Sequence, residues 1–381
     1  MSSSRFPGSR SLTARAALFL AALALVALGA ATAASDASAA KRRSTIKKSI
    51  WGPVTYQGKP QFPIYHELGA GIWQSTLLWS DAAPTRPSDP RDPEDAAYRW
   101  PAELDAAVKE ARRYHIRISL LVLGTPTWAN GNRPRNWVPT RPADLADFLT
   151  AAARRYRGVK LWMIWGEPSR RENFMPLTPE RPRSKRLTRK QAAAPRYYAR
   201  MLDASYGALK AVRRTNLVIG GNTFTSGDIT PYNWVRYLRL PNGRRPRMDL
   251  YGHNPFTGRR PRLSAPQDRF LVDISDIPTF TRFLDRRLRT PQGHPLKLFL
   301  SEFFWPTDHA NNEFAFHLSW GLQAAWLRDA LKIARQLPRI YTLGWFSLYD
   351  DPPRADGLSV NRGLMTRSGR RKPSFRVFRE G

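Results

Sequence analysis

With 381 residues, 42% of them hydrophobic, the chain is long enough to bury a large core. It has no cysteine, which excludes a disulfide framework, a thiolate metal site and a lipid-bearing cysteine. Lys and Arg number 62 against 30 Asp and Glu, a net charge of +32 that suggests something anionic nearby; the basic residues form no single stripe and read as a solvated surface coat, matched to an anionic envelope, rather than a dedicated site for an acidic ligand, and they carry no recognition-helix, zinc-finger or aromatic RNA-binding signature, so no specific nucleic-acid site is expected.

Arg5, Arg10 and Arg15 precede an apolar, alanine-rich run at 16–31 and small residues at 31–33 and 37–39. This is the pattern of a secretory leader, with an uncleaved anchor as the alternative, and residues 1–39 are set apart from the fold on that ground. Loss of the leader, which also carries Asp36, leaves a charge of +30. A basic linker is expected over 40–49, followed by one domain over 50–381, and the expected location is secreted or extracellular, associated with the cell envelope in one form of this reading.

From residue 50 onward strand and helix patterns alternate. Strands are expected at 51–56, 71–79, 116–123, 161–165, 217–222, 248–253, 296–301 and 341–348, most of them continuous apolar runs, as in a parallel sheet covered on both faces. Helices are expected to open at Pro101, Pro142, Tyr197, Pro231, Pro278 and Phe316, proline being well suited to a first helical turn. Eight such units close into a (β/α)8 barrel; an open doubly wound sheet is the alternative, but no Gly-rich phosphate loop joins a strand to its helix.

Two strands share one ending. Leu161-Trp-Met-Ile-Trp-Gly-Glu-Pro runs into Glu167 before Pro168, and Leu296-Lys-Leu-Phe-Leu-Ser runs into Glu302. Proline confines its predecessor to extended geometry, so Glu167 is expected at the C-terminal tip of strand four, with Glu302 at the tip of strand seven on the same rim. A strand-end glutamate also serves simply as a loop cap. Paired across a barrel mouth, two carboxylates suit double-displacement cleavage of a glycosidic bond. Trp79, Trp128, Trp305 and Trp345 fall at strand ends as candidates for stacking on sugar rings, with core packing as the other role open to them, whereas Trp162, Trp320 and Trp326 sit in packing patterns. His253 is either a substrate or carboxylate contact or a satisfied polar group. Asp249 and Asp350 are read as structural. No metal-ligand spacing occurs among the six histidines, and no cofactor is expected.

The stretch Trp162-x-x-Trp165-Gly166-Glu167-Pro168 resembles the Trp-Asn-Glu-Pro signature of the large clan (clan A) of retaining (β/α)8 glycoside hydrolases, with likeness to family 39 and family 5 members of cellulase type. Further segments fit: Leu68-Gly69-Ala70-Gly71 leading to Trp79, Thr125-Pro126-Thr127-Trp128, His253, Trp345, and Gly363-Leu364-Met365 with Gly369 and Lys372-Pro373. The resemblance implies that Glu167 is the acid/base and Glu302 the nucleophile. It also exposes departures. Gly166 stands where the clan has an asparagine for the sugar's 2-hydroxyl, Gln74 where many relatives carry an arginine, and the strand-six tip reads His253-Asn254-Pro255-Phe256 without the tyrosine usual there in the clan. Asn254 or Asn222 is the expected substitute for the missing amide.

A lysine- and arginine-rich insert at 176–194 follows the Glu167 strand, and it suits either an acidic glycan or solvent. The functional expectation is a secreted retaining glycoside hydrolase with a carbohydrate substrate, an anionic glycan or envelope polymer being one such partner. The rivals are a barrel that binds carbohydrate without cleaving it and a basic envelope- or nucleic-acid-binding protein.

Overall fold

In the computed structural model, eight parallel strands close into a barrel in which each is hydrogen-bonded to its neighbours in chain order. They are β1 Lys47–Trp51, β2 Ile72–Leu78, β3 Arg117–Leu123, β4 Leu161–Ile164, β5 Leu217–Phe224, β6 Leu250–Asn254, β7 Lys297–Leu300 and β8 Ile340–Trp345. Closure is made by β1, with Ile50 opposite Trp345 of β8 on one side and Trp73 of β2 on the other. The structure describes residues 47–182, 184–264, 266, 268, 270–309, 315–353 and 359–381. The expected leader, and the linker as far as residue 46, lie outside the described residues.

A helix follows each strand: α1 Phe62–Glu67, α2 Ala102–Arg113, α3 Pro142–Arg155, α4 Ala193–Val212, α5 Pro231–Tyr237, α6 Ile277–Asp285, α7 Trp320–Gln336 and α8 Pro373–Glu380. This is the expected (β/α)8 barrel. Among the described residues no helix is long and apolar enough to cross a membrane.

The first strand departs from expectation. It begins at Lys47, inside the expected basic linker, rather than at Trp51, because Lys48 is buried and its Nζ donates to the carbonyls of Phe378 (2.5 Å) and Arg379 (2.9 Å) near the end of α8. Charge there satisfies carbonyls that a helix terminus leaves open, and the lysine belongs to the fold rather than to a solvated tail. Helix α7 starts at Trp320, not Phe316, because the Ser319 hydroxyl accepts from Leu322 N–H and caps it.

Side chains alternate across each strand, so the barrel holds two separate apolar layers. Inside are Trp51, Ile72, Leu121, Leu161, Met163, Ile219, Leu250 and Phe299. Outside, between strands and helices, lies the larger core with Ile50, Trp73, Leu77, Trp162, Tyr251 and Leu298 among its members. Near the mouth the interior turns polar. Ser49, Gln74, Ser301 and Thr342 are all buried, and Gln74 Nε2 donates to the Ser301 carbonyl (2.8 Å) while Ser301 Oγ donates to Gln74 Oε1 (3.2 Å). Gln74 thus fixes the residue just before Glu302.

Candidate active site

Strand β4 ends at Ile164, and the next three residues carry the chain sharply over the rim. Trp165 has φ +68° and Glu167 φ +43°, both left-handed. Glu167 is therefore not in the extended geometry expected before proline. The turn that holds it there is closed by Arg170 N–H donating to the Glu167 carbonyl (3.0 Å) and by Trp165 Nε1 donating to the Asn173 carbonyl (2.7 Å). Non-glycine residues in this region cost about 1–3 kcal/mol each and persist only where their surroundings over-determine them.

The turn aims the Glu167 side chain back over the barrel axis. It is 7% exposed, and Asn254 Nδ2 donates to its Oε1 (2.9 Å) while Arg170 Nη1 (2.9 Å) and Asn173 Nδ2 (3.2 Å) donate to its Oε2. The same Asn254 accepts, through Oδ1, the backbone N–H of Glu302 at 3.2 Å. One buried amide at the tip of β6 therefore joins the turn after β4 to the end of β7, bringing the two glutamates to one place. Arg170 is shared, since its Nη2 donates to Glu172 Oε2 at 2.5 Å and its guanidinium lies over the Phe224 ring.

Two cavities open here and have Glu167, Glu172 and Glu302 as common wall. The smaller, about 280 Å³, is bounded by Leu121, Leu123, Trp165, Gly166 and Arg135. The larger, about 340 Å³, has an aromatic side made by Phe224, Phe256, Phe304 and Phe346 and a charged side with Arg181, Asp228 and Arg362. Arg181 pairs with Asp228 (2.9 Å) and Arg362 with Asp351 (2.5 Å). A concave site with apolar faces and a few converging polar groups is what a small organic ligand needs.

Of the nine residues expected at the site, Glu167, Glu302 and Asn254 meet there. The others do not line either cavity. Trp79 is fully buried on the outer side of the barrel, stacked on Phe148 of α3. Trp128 meets Trp79 edge-on and donates through Nε1 to the Ala83 carbonyl (2.8 Å). Trp305 and Trp345 are buried together with Phe303, their indole N–H groups taken by the carbonyls of Thr257 (2.7 Å) and Arg362 (3.1 Å). Parity explains Trp345: on β8 the inward positions are Thr342 and Gly344, so Trp345 faces the helices, and its successor Phe346, just past the strand, reaches the mouth.

His253 and Asn222 differ from expectation in the same way. His253, next to inward Asn254, turns outward against Phe280; its ring nitrogens bond Thr223 Oγ1 and the Val272 carbonyl, each at 2.9 Å, and burial pushes its pKa down to about 4. Asn222, φ +41°, lies buried below the site and donates from Nδ2 to the Trp165 carbonyl (3.2 Å), where it braces the turn. The neutral His253 makes stability depend on pH. Its folded pKa lies below the ordinary 6.5, so between 6.5 and about 4 the unfolded chain binds more protons, and stability falls by roughly 3 kcal/mol as pH drops through that window. Urea unfolding at pH 7 and pH 4.5 should show a smaller acid loss in His253→Gln than in the parent; equal losses would remove His253 as the cause.

Arg170, Asn173 and the four phenylalanines were not singled out from sequence. Arg170 and Asn173 had a local signal, standing three and six residues after Glu167 in the turn that follows the strand. Gly166 lies in the cavity wall, and a Cβ on it would sit 3.2 Å from Leu121 Cδ2 and 3.4 Å from Leu123 Cδ2. Leucines thus occupy the ground an asparagine side chain there would need. Among the described residues no group of three or more His, Cys, Asp or Glu is placed to hold a metal ion.

No protein-family model and no curated protein matches the chain. Solved structures do match in fold. A family 39 glycoside hydrolase from Bacteroides cellulosilyticus WH2 superposes with a TM-score of 0.61 at 16% identity, over 88% of this chain and 62% of that one. A glucosidase from Croceicoccus marinus gives 0.61 at 16%, over 88% and 66%, and a family 39 β-xylosidase from Caulobacter crescentus gives 0.57 at 15%, over 88% and 71%. The chain thus spans less than two thirds of the first two proteins, and at these identities the likeness is one of fold.

Proposed function

We propose that this protein is an exported glycoside hydrolase of the retaining type, in which Glu302 attacks the anomeric carbon and Glu167 first protonates the departing oxygen and then takes a proton from water. The observation that carries the reading is the Asn254 amide, bonded to the Glu167 carboxylate on one side and to the Glu302 backbone on the other. It ties the Glu167 carboxylate to the backbone that carries Glu302, and both glutamates line the same two cavities, which supports a double displacement between them. The glycosidases among the fold neighbours and the Trp-Gly-Glu-Pro turn support the same chemistry. Phenylalanine rings, rather than the expected tryptophans, supply the apolar face against which a sugar ring would lie. Export rests on the leader pattern at 1–39.

The reading is tested by trapping. A 2-deoxy-2-fluoro glycoside with an activated leaving group should leave its sugar on the peptide containing Glu302, and a label on any other residue would contradict the assignment. Asn254→Ala removes the bridging amide. Its expected effect is a drop in kcat/KM of about 100-fold, near 2.7 kcal/mol, together with about 1–3 kcal/mol of stability for the loss of the amide's hydrogen bonds to Glu167 and Glu302. Steady-state kinetics and urea unfolding on the same variant separate the two effects.

A second reading is favoured by Gly166. Without an amide at that position, and with the Asn254 amide committed to the glutamates, the cleft has lost a donor toward the sugar, and the barrel would hold carbohydrate without cleaving it. Saturable glycan binding together with no turnover over a broad panel of glycosides would favour this alternative.

A further inference from the structure

On the outer helical layer, a depression of about 710 Å³ is lined by Arg236, Arg239, Arg245, Arg286 and Arg287 and by nothing else. They come from α5, from the loop that leads to β6 and from the end of α6. Among the described residues none of the five pairs with a carboxylate; the partners of Arg236, Arg239, Arg245 and Arg287 are the Asn233 side chain, backbone carbonyls and the Phe283 ring. Arg245 is half-buried, its Nη1 donating to the carbonyls of Val235, Arg236 and Leu238, and burial with the nearby Arg239 and Arg287 pushes its pKa down to about 10. Arg287 is lowered too, by burial and by Arg236, Arg286 and Arg239. The five cations are held together against their own repulsion.

Arg239 also borders a second groove of about 900 Å³, where Arg189, Lys190, Arg196 and Arg200 stand around Tyr197, Leu240 and Pro241. Among the described residues none of these four cations pairs with a carboxylate either, whereas Arg181 and Arg247 elsewhere on the surface do. The two grooves share Arg239 and make one basic track.

From this we infer that the track is a binding site for an anionic polysaccharide, whose repeated carboxylate or sulfate groups would be taken by the guanidinium forks. The occupant is a chain, because the combined grooves hold nine cations spread over far more room than one oxyanion fills. Sugar rings suit the lining, since Pro176, Leu240 and Pro241 put apolar surface between the charges, which inorganic polyphosphate cannot use. Single-stranded nucleic acid needs aromatic faces for its bases, and the one aromatic side chain here, Tyr197, is already covered by the Arg200 guanidinium. A membrane surface is disfavoured because the large exposed hydrophobic side chains, Leu263, Leu271 and Leu322, lie outside the track.

Binding of polygalacturonate, measured by calorimetry at low and at physiological salt, tests the site without reference to hydrolysis. Arg239→Gln with Arg286→Gln, both exposed side chains, should weaken it about tenfold, while the same charge removed from α2 by Arg112→Gln with Arg113→Gln should change it less than about twofold. Glu302→Gln should bind as the parent does, so loss of the hydrolase reading leaves this one intact. Equal weakening by both double variants, or no binding by the parent chain, would overturn the site; tighter binding of polyphosphate or single-stranded DNA than of polygalacturonate would overturn the polysaccharide assignment.

Discussion

Glu302→Gln is expected to lower kcat/KM on an aryl glycoside by about 10⁴-fold or more, roughly 5.5 kcal/mol of transition-state stabilisation, whatever the leaving group. The glutamine keeps the backbone N–H that Asn254 Oδ1 accepts and nearly the same volume, so the fold should survive. Glu167→Gln should behave differently. Its proton matters most when the departing oxygen is a poor leaving group, so the loss should be large for an alkyl or sugar leaving group and much smaller in the first step for a dinitrophenyl glycoside. Kinetics of both variants over a series of leaving groups, with melting curves to check folding, make the comparison. A Glu167→Gln penalty independent of the leaving group would end its assignment as the acid.

Lys372→Met is expected to cost about 3–5 kcal/mol of stability, the largest effect for a residue outside the cleft. The Lys372 side chain is fully buried and Asp350 nearly so, with Nζ–Oδ1 at 2.7 Å. Lys372 Nζ also donates to Thr307 Oγ1 (3.0 Å) and the Asn361 carbonyl (3.3 Å), and Asp350 Oδ1 also accepts from Gly363 N–H (2.8 Å). Burial pulls the Asp350 carboxyl up and the Lys372 ammonium down, and their mutual attraction opposes both shifts. Removing one partner leaves an uncompensated buried charge, whereas removing both does not. Lys372→Met with Asp350→Asn should therefore recover much of the loss in urea unfolding, and failure to recover it would mean that the surrounding hydrogen bonds, not the pair, hold the structure. The pair ties the loop after β7 to the loop after β8, which carry Phe304 and Phe346 into the cleft, so the single variant should also weaken ligand binding.

The barrel was legible because most strands are continuous apolar runs and several helices open on proline. Those features are local, and β2 to β8 overlap the stretches expected for them. The same continuity concealed which way each side chain points. When both faces of a strand are apolar, hydrophobicity says nothing about parity, and so Trp79 and Trp345 were expected in the mouth although they belong to the helix-facing core. Nor does a polar residue within such a run settle it, since adjacent His253 and Asn254 on β6 face opposite ways, His253 to Phe280 and Asn254 to Glu167.

By itself, then, the sequence determined the closed eight-stranded architecture and put Glu167 and Glu302 at the ends of β4 and β7, since strand order and strand ends are written in residues close together along the chain. Tertiary structure alone decided that an amide from β6 links the two glutamates, that phenylalanines rather than tryptophans face the cleft, and that arginines from two helices and a loop gather in one depression. Those outcomes depend on strand parity and on how helices pack around the closed barrel, which bring together side chains with no pattern in common along the sequence.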